Sequence, residues 1–242
     1  MVDRNDGWGG VVSVGPWWLL YTGMVGSTAR HAHHAAQVIA SEDYVRVRFD
    51  GDLRLEGRAV VIPPDMPHAL ERAGVATMVF VDAESAAGRR IAARCAGAPA
   101  CLDMTLIPTF GRARDVVESV LSTFDGPGMA TVALSPAIAA VVARLADDPD
   151  AGAAAEFAAE AKLSPSRFSQ RFAREVGIPL RSYRRWVRML LAVEALNSGA
   201  SLTTAAHAAG FSDSAHLSRT FRDSFGIAPT DLLAGSRFEP LA

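Results

Sequence analysis

Three histidines and a glutamine near the start of the chain have the types and the spacing of a metal site. His31, His33 and Gln37 share one parity, so on a β-strand their side chains would point to one face, with His34 on the other. His68 supplies a third imidazole from further along the chain. Three imidazoles and one amide oxygen suit a divalent ion such as Zn, Ni, Cu, Fe or Mn and leave a position open for water or a ligand. A purely structural role for these histidines is the alternative.

The same residues resemble the two metal-binding motifs of the cupin family. His31-Ala32-His33 followed by Gln37 is similar to the first motif, His-x-His-x3-Glu, with glutamine in place of glutamate. Pro63-Pro64-Asp65-Met66-Pro67-His68 resembles the second motif, although Asp65 and Met66 stand where a Pro-x-Gly turn is more usual. The resemblance implies a small β-barrel that brings these side chains together. Many sensor domains resemble cupins and bind no metal, so the structural role stays open.

The segments around these residues have the pattern of β-strands. In residues 44–49, apolar side chains alternate with Arg46 and Arg48, which is typical of a strand with one buried face. Asp50-Gly51-Asp52 predicts a tight turn, and residues 59–62 and 77–81 predict further strands. Several strands at this spacing between Gly10 and Asp82 predict a small β-sandwich or barrel.

The pattern changes to helices after residue 82. Residues 83–95 and 111–124 have helical periodicity, and the second segment carries an apolar stripe that predicts either a dimer seam or a helix packed on its own barrel: Val116, Val117, Val120, Leu121 and Phe124. Residues 125–133 form a linker, and Ser135-Pro136 begins a helical region that is expected to continue to the end of the chain. We therefore expect a sensor barrel in residues 1–82, a helical dimerisation or linker region in 83–130 and a helical domain in 131–242.

A repeat in the last part of the chain predicts two helix-turn-helix units. At an offset of 49 residues, Ser169, Phe172, Gly177 and Ile178 recur as Ser218, Phe221, Gly226 and Ile227. An alanine-rich helix precedes each copy, and a capping residue follows each turn: Ser164 in the first copy, Ser212 or Asp213 in the second. Helix, tight turn and helix, given twice, is the layout of two such units, and the apolar periodicity of residues 181–197 predicts a long helix between them.

The charge of this region differs from that of the whole chain. The 242 residues include 24 basic and 26 acidic side chains, yet between Lys162 and Arg222 ten basic residues face three acidic ones. A local excess of positive charge on an acidic protein is typical of a surface that contacts nucleic-acid phosphates. A solvated helical face is the alternative, and the repeat in the same region favours DNA binding over it.

The region resembles the signature of AraC-type transcriptional regulators. Residues 210–222, followed by Phe225-Gly226-Ile227-Ala228-Pro229, are similar to the family's second unit, and residues 163–172 to its first. The resemblance covers residues 135–233. Thr230-Asp231-Leu232-Leu233 departs from the family, which often has an aromatic residue and an arginine there, so one phosphate contact is not expected.

The resemblance implies roles for the second helix of each unit. Base contacts are implied for Ser166, Arg167, Gln170, Ala215, His216 and Arg219, and phosphate contacts for Arg184, Arg185 and Arg222. Arginine pairs with guanine and glutamine with adenine, whereas Ala215 could contact only a thymine methyl. The opposite faces, with Phe168, Phe172, Leu217 and Phe221, are expected to pack in the core. The joining helix would set the two reading helices about one DNA turn apart, roughly 34 Å.

Together these patterns predict a one-component regulator with an α+β multidomain fold: an N-terminal cupin-like β-barrel plus helices, and a C-terminal all-α domain with two helix-turn-helix units. The first part would sense a metal ion or small molecule. The second would bind promoter DNA as a homodimer, with RNA polymerase as a partner of an activator. The alternative is a cupin-type metalloenzyme, an oxygenase or isomerase, fused to a DNA-binding domain. It lacks an obvious catalytic carboxylate, since Asp65 lies on the turn and Glu42 beyond the strand.

The remaining features indicate a cytoplasmic protein. The apolar stretch at residues 11–25 is interrupted by Ser13, Gly15, Pro16 and Gly23, so it predicts neither a signal peptide nor a membrane span. The two cysteines, Cys95 and Cys101, exclude a disulfide framework, and we expect reduced thiols, with a redox pair as the alternative.

Overall fold

The computed structural model describes residues 8–15, 17–72, 74–102, 112–124, 134–176, 178–225, 228–233 and 235–239. Within them an N-terminal sheet with two packed helices is followed by a helical region with two helix-turn-helix units, which confirms the predicted fold class. The predicted linker at residues 125–133 and the predicted helix start at Gly111 lie outside the described residues.

In the described residues eight strands form one sheet: β1 (Gly9–Val14), β2 (Trp18–Val25), β3 (Ala35–Phe49), β4 (Arg54–Ile62), β5 (His68–Arg72), β6 (Gly74–Asp82), β7 (Ala100–Cys101) and β8 (Ser236–Glu239). Their order is β7-β4-β3-β6-β2-β1-β8, and β5 pairs with β3. A register shift between Ala40 and Val45 divides β3 into two halves. The first half pairs with β6 and the second half with β5. Such an irregularity bends a strand, and it lets β3 carry two neighbours on the same edge.

The two halves of β3 differ in burial for a physical reason. Its first seven residues, from Ala35 to Ser41, are all buried, because both faces of the sheet are covered there. Its second half alternates between buried residues and the exposed Arg46 and Arg48, as the sequence predicts for a strand with one solvated face.

The helices α1 (Ala86–Cys95) and α2 (Ala113–Ser122) cover one face of the sheet. Val116, Val117, Val120 and Leu121 of α2 are each at most 2% exposed, in one cluster with Trp18 and other residues of the sheet. The prediction that this stripe is a dimer seam is therefore wrong, and its alternative, packing on the chain's own sheet, is confirmed. Homodimerisation stays a prediction without that seam.

The helical region contains α3 (Pro136–Asp147), α4 (Ala154–Glu160), α5 (Pro165–Val176), α6 (Leu180–Asn197), α7 (Leu202–Ala208), α8 (Ser214–Phe225) and α9 (Pro229–Leu233). The expectation of helix to the end of the chain is wrong at β8, which pairs in parallel with β1 from Gly10 to Ser13. β1 would otherwise be an edge strand with free backbone groups, and an extended partner satisfies them. None of the helices in the described part of the chain has both the length and the hydropathy of a bilayer span.

The sheet and the helical region share one hydrophobic core. Phe80 of β6, Trp186 of α6 and Phe225 of α8 belong to the same buried cluster, each at most 3% exposed. The free face of the sheet therefore packs directly against the helices that the sequence assigns to a separate domain.

Candidate functional site

The helix pairs α4–α5 and α7–α8 repeat one structure. The turn of the first pair is closed by hydrogen bonds from Lys162 N to Ala159 O and from Leu163 N to Ala158 O; the second has the same bonds from Gly210 N to His207 O and from Phe211 N to Ala206 O. From Ala154 to Leu202, the starts of the first helices, is 48 residues, whereas from Pro165 to Ser214, the starts of the second, is 49. The second unit therefore has one extra residue between its turn and α8.

The sequence offers Ser212 and Asp213 as the residue that caps α8. The Asp213 carboxylate accepts a hydrogen bond from His216 N at 2.6 Å, whereas Ser212 bonds to side chains only. The backbone hydrogen bond from His216 lowers the pKa of Asp213 below its usual range. Of the two caps that the sequence left open, Asp213 is the one observed.

Each second helix separates an apolar face from a polar face. Phe168, Phe172, Leu217 and Phe221 are at most 1% exposed, which confirms the prediction that they face the core. Residues of the opposite faces that were predicted to contact DNA are exposed: Ser166, Arg167, Gln170, Ala215, Arg219 and Arg222. His216 is half-buried, with Nδ1 at 3.1 Å from Ser212 Oγ and its ring edge-on to Phe211.

Some arginines of α5 and α8 form ion pairs within the described part of the protein and others do not. Arg167, Arg219 and Arg222 form no ion pair with any described residue, so their guanidinium groups are free for an external anion. Arg171, by contrast, binds Glu175 at 2.9 Å on the same helix.

The two arginines of α6 that were predicted to contact phosphate have partners inside the protein. Arg184 donates to the backbone oxygen of Gly152 and lies over the Phe157 ring, 5.8 Å from its centre. Arg185 donates to Asp82 Oδ2 at 3.0 Å. Of the three predicted phosphate contacts, the structure thus leaves Arg222 unengaged.

A pair of carboxylates that sequence reasoning missed attaches α6 to the sheet. Asp82, the last residue of β6, accepts hydrogen bonds from Arg185 and, at 2.6 Å, from Trp186 Nε1. Glu84 accepts from Arg181 and from Ser182 Oγ. Burial alone would raise the pKa of Glu84, but these hydrogen bonds outweigh it and lower the pKa. No local pattern signals this contact, because its partners are about one hundred residues apart in sequence.

His31, His33 and His68 form a cluster. His31 and His68 exchange two backbone hydrogen bonds, of 2.8 and 2.9 Å, and His33 precedes β3. One ring nitrogen from each histidine lies within 4.8 Å of the others, and Gln37 Oε1 lies 3.1 Å from His33 Nε2. His34 points away to solvent and pairs with Asp65. The structure therefore brings together the four residues that the sequence singled out.

Backbone carbonyls fix the tautomer of each clustered histidine. Nδ1 of His31, His33 and His68 lies 2.8–2.9 Å from the carbonyl oxygen of Ala29, Ala35 and Met66, respectively. A carbonyl oxygen only accepts, so Nδ1 carries the proton and Nε2 holds the lone pair of the neutral ring. The His33 lone pair then faces Gln37 Oε1, which is another acceptor. A metal ion would satisfy both acceptors, and a hydrogen bond from the other ring nitrogen is usual in metal-ligating histidines.

Burial keeps these imidazoles neutral. Desolvation, reinforced by repulsion from neighbouring histidines, lowers the pKa of His33 to about 4 and that of His68 to about 3. Desolvation also lowers the pKa of His31. The neutral imidazole is the form that binds a metal ion, so the cluster needs no proton release at neutral pH to do so.

A small cavity lies beside the cluster. Its volume is about 20 Å³, which is room for about one water molecule or an ion. Its described lining contains no carboxylate and includes residues from both halves of the chain: Trp8, Thr28, His31, Gln37, Ile39, His68, Leu70, Met78, Phe80 and Phe225.

One family profile matches the region of the repeat. The sequence profile of the helix-turn-helix domain matches residues 157–235. A search of curated proteins found no significant match. Among solved structures, the C-terminal domain of AraT, a response regulator from Geobacillus stearothermophilus, is similar at 21% identity and a TM-score of 0.39, covering 44% of this chain and 90% of that one.

Two further solved structures are similar. A DNA-binding transcriptional dual regulator from Escherichia coli K-12 is 24% identical, with a TM-score of 0.35 over 41% of this chain and 91% of that one. ToxT from Vibrio cholerae strain SCE256, in a form bound to an unsaturated fatty acid, is 10% identical, with a TM-score of 0.45 over 93% of this chain and 99% of that one.

Proposed function

We propose that this chain, whose residues 157–235 match a helix-turn-helix domain, is a transcriptional regulator of the AraC type that binds promoter DNA through α5 and α8 under the control of a divalent metal ion. The observation that carries DNA binding is the division of both helices into a buried aromatic face and an exposed face with unpaired arginines. An exposed cationic helix face is what the major groove and its phosphates accept.

The size and chemistry of the cavity support a metal ion over an organic effector. Organic ligands occupy pockets of about 300–1,000 Å³, far larger than the roughly 20 Å³ beside the histidines. His31, His33 and His68 would hold the ion through Nε2, with Gln37 Oε1 as a fourth ligand. The bound ion would link the segment before β3 to the start of β5. The absence of a carboxylate from the described lining favours this sensor over the metalloenzyme alternative.

Arg219→Ala and Arg222→Ala on the same helix test the DNA-binding proposal. The probe is a duplex enriched from a random-sequence library by the full-length parent protein, and affinity is measured by fluorescence anisotropy over a range of salt concentrations. Arg219→Ala should weaken binding by about 1–3 kcal/mol and relax the base preference at one position. Arg222→Ala should weaken all sequences alike and reduce the salt dependence by about one charge.

Arg114→Ala is the matched control, because Arg114 is an exposed arginine on α2, whose apolar side packs on the sheet. It should leave affinity and base preference unchanged. If Arg219→Ala binds the enriched duplex as tightly as the parent does, the placement of α8 in the groove is wrong. If the parent enriches no duplex, the proposed function itself is wrong.

A further inference from the structure

The last turn of the second reading helix forms one wall of the cavity beside the histidines. Phe225, the final residue of α8, lines that cavity together with His31 and His68. Its ring lies edge-to-face against Phe80, with 5.7 Å between centres, and Phe80 lies in the same way against His33 at 5.4 Å. Ring contacts therefore run without a break from a candidate metal ligand to the DNA-reading helix.

A backbone hydrogen bond joins the same two elements. The N–H of His34 donates to the carbonyl oxygen of Asp223 at 2.7 Å. His34 directly follows His33, and Asp223 lies in the last turn of α8. The segment that carries two of the three clustered histidines is thus attached to α8 through both its backbone and its neighbouring rings.

On its other side, Phe225 contacts the elements that orient the reading helices. Its ring lies 4.7 Å from the Phe221 ring, on the buried face of α8, and 5.5 Å from the Trp186 ring, on the joining helix α6. All three side chains are at most 3% exposed. A close-packed cluster of this kind transmits displacements because it has no free volume to absorb them.

None of the described residues of the first unit lines this cavity. The residue equivalent to Phe225 in the repeat is Val176 at the end of α5, and Val176 is not among the residues that line the cavity. The aromatic side chain of the second copy is therefore the feature that reaches the sheet.

Metal binding would move the histidine rings that contact α8 through Phe80. Two nitrogens that bind one ion at about 2.0–2.1 Å can be at most about 4.2 Å apart. The nitrogens of the cluster lie within 4.8 Å of one another, and any pair that is farther apart than the coordination limit moves closer when an ion binds. The movement of His33 then reaches α8 through Phe80 and through the hydrogen bond to Asp223.

We propose that Phe225 couples the three-histidine site to the second reading helix, so that a metal ion and DNA each change the affinity of the chain for the other. The inference rests on the proposed function, which supplies the two ligands. Coupling of this kind is reciprocal, since the same free energy links both binding events.

Titration of the full-length protein with Zn²⁺, with and without the enriched duplex, tests the coupling. The Kd for Zn²⁺ should differ by about fivefold or more between the two titrations, and the Kd for DNA should change by the same factor when Zn²⁺ is added. Phe225→Val gives α8 the side chain that α5 has at the equivalent position, Val176. In this variant the Kd for Zn²⁺ should be nearly the same with and without DNA, and the Kd for DNA nearly the same with and without Zn²⁺. Val176→Ala, a truncation at the equivalent place, should retain the coupling of the parent.

The outcomes distinguish a failure of the coupling from a failure of the proposed function. A parent that binds Zn²⁺ and DNA independently overturns the coupling and leaves the regulator intact, as does a Phe225→Val protein with undiminished coupling. A parent whose titration without DNA shows no Zn²⁺ binding overturns the proposed metal control and the coupling with it. Circular dichroism checks folding, and Phe225→Leu, which retains more apolar volume, replaces Phe225→Val if that variant unfolds.

Discussion

Which ring nitrogen of His31, His33 and His68 carries the proton is determined by a nearby backbone carbonyl, and the sequence pattern does not predict that contact. The parity of His31, His33 and Gln37 and the position of His68 predict the cluster. The carbonyl oxygens that hold Nδ1 depend on loop conformation, which the residue types do not determine. Residues 31–34 are a bridge and a loop, not the predicted strand, yet His33 is buried and His34 exposed as expected.

The partners of the α6 arginines show the same limit. Arg184 and Arg185 have the charge of phosphate-binding residues, and the sequence assigns them to DNA. Their hydrogen-bond partners, Gly152 and Asp82, are 32 and 103 residues away. A charge pattern is local, so it identifies a cation and cannot show which anion is nearest in the fold.

Removal of one imidazole tests the metal site. We expect near-stoichiometric divalent metal, by mass spectrometry, in protein purified without a histidine tag or chelator and equilibrated with Zn²⁺. His68→Ala should lose most of it, because it removes one of the three clustered imidazoles. His34→Ala should retain it, because His34 is exposed and pairs with Asp65. Equal metal content in the two variants would contradict the site, as would a metal-free parent.

Helices and strands are predicted from the sequence more accurately than the contacts of single residues. The apolar faces of α5 and α8 follow from helical periodicity, and the structure buries the predicted side chains. On α6 it buries Tyr183, Trp186 and Val187 and leaves Leu190, Leu191 and Leu196 half-buried. Strands with one solvated face, such as the second half of β3, follow from alternation. The strand β8 was missed because its extended conformation comes from pairing with β1, a partner more than two hundred residues earlier in the chain.

Glu175 is an element-scale contact that the sequence does not predict. Its side chain on α5 is 4% exposed and accepts hydrogen bonds from the N–H and the hydroxyl of Ser135, each at 2.8 Å, and from Arg171. Burial alone would raise the pKa of this carboxyl, but the hydrogen bonds from Ser135 and Arg171 outweigh it and lower the pKa. The ionised carboxylate therefore holds the start of α3 on α5.

We expect Glu175→Gln to lower the free energy of unfolding at pH 7 by about 1–3 kcal/mol, because buried donors lose an ionised acceptor. The folded-state pKa lies below the unfolded value of about 4.3. The contribution of Glu175 is therefore fully present above that value and is lost as the pH falls through the folded pKa. Urea unfolding from pH 7 to pH 3 should show the difference between parent and variant shrinking.

Glu118→Gln is the control for that measurement. Glu118 pairs with Arg114 four residues away, as Glu175 does with Arg171, but both members of the Glu118 pair are exposed. Exposed pairs of this kind contribute about 0.3–0.5 kcal/mol. A loss of stability as large as that of Glu175→Gln would show that burial is not what gives Glu175 its effect.

For the whole molecule, the contacts between the two halves are what the sequence does not predict. Periodicity, charge and motif all change between the two halves, and each half is identified correctly. The two halves are joined by the shared core, by hydrogen bonds from α6 to Asp82 and Glu84, and by β8 in the N-terminal sheet. The sheet is therefore in direct packing contact with the helices that we propose read DNA.

The C-terminal strand provides the whole-molecule prediction. A Cβ on Gly235 would lie 1.8 Å from the carbonyl oxygen of Trp8, whereas a Cβ on Gly9 would have its nearest contact at 3.5 Å, with the carbonyl oxygen of Gly235. Gly235→Ala should therefore force β8 away from β1 and lower the free energy of unfolding by about 1–3 kcal/mol. Gly9→Ala, the same change on the facing strand, should alter it by no more than about 1 kcal/mol.

Hydrogen exchange locates the effect of that change. In Gly235→Ala, the amide of Gly10, which donates to Gly235 O at 3.2 Å, should lose protection, as should that of Val12, which points to the same edge. The amides of β3 and β6, inside the sheet, should keep theirs because their ladders are intact. Unchanged protection of Gly10 in Gly235→Ala would show that β8 does not hold this edge. Loss of protection throughout the sheet would show instead that the C-terminal strand stabilises the whole N-terminal half.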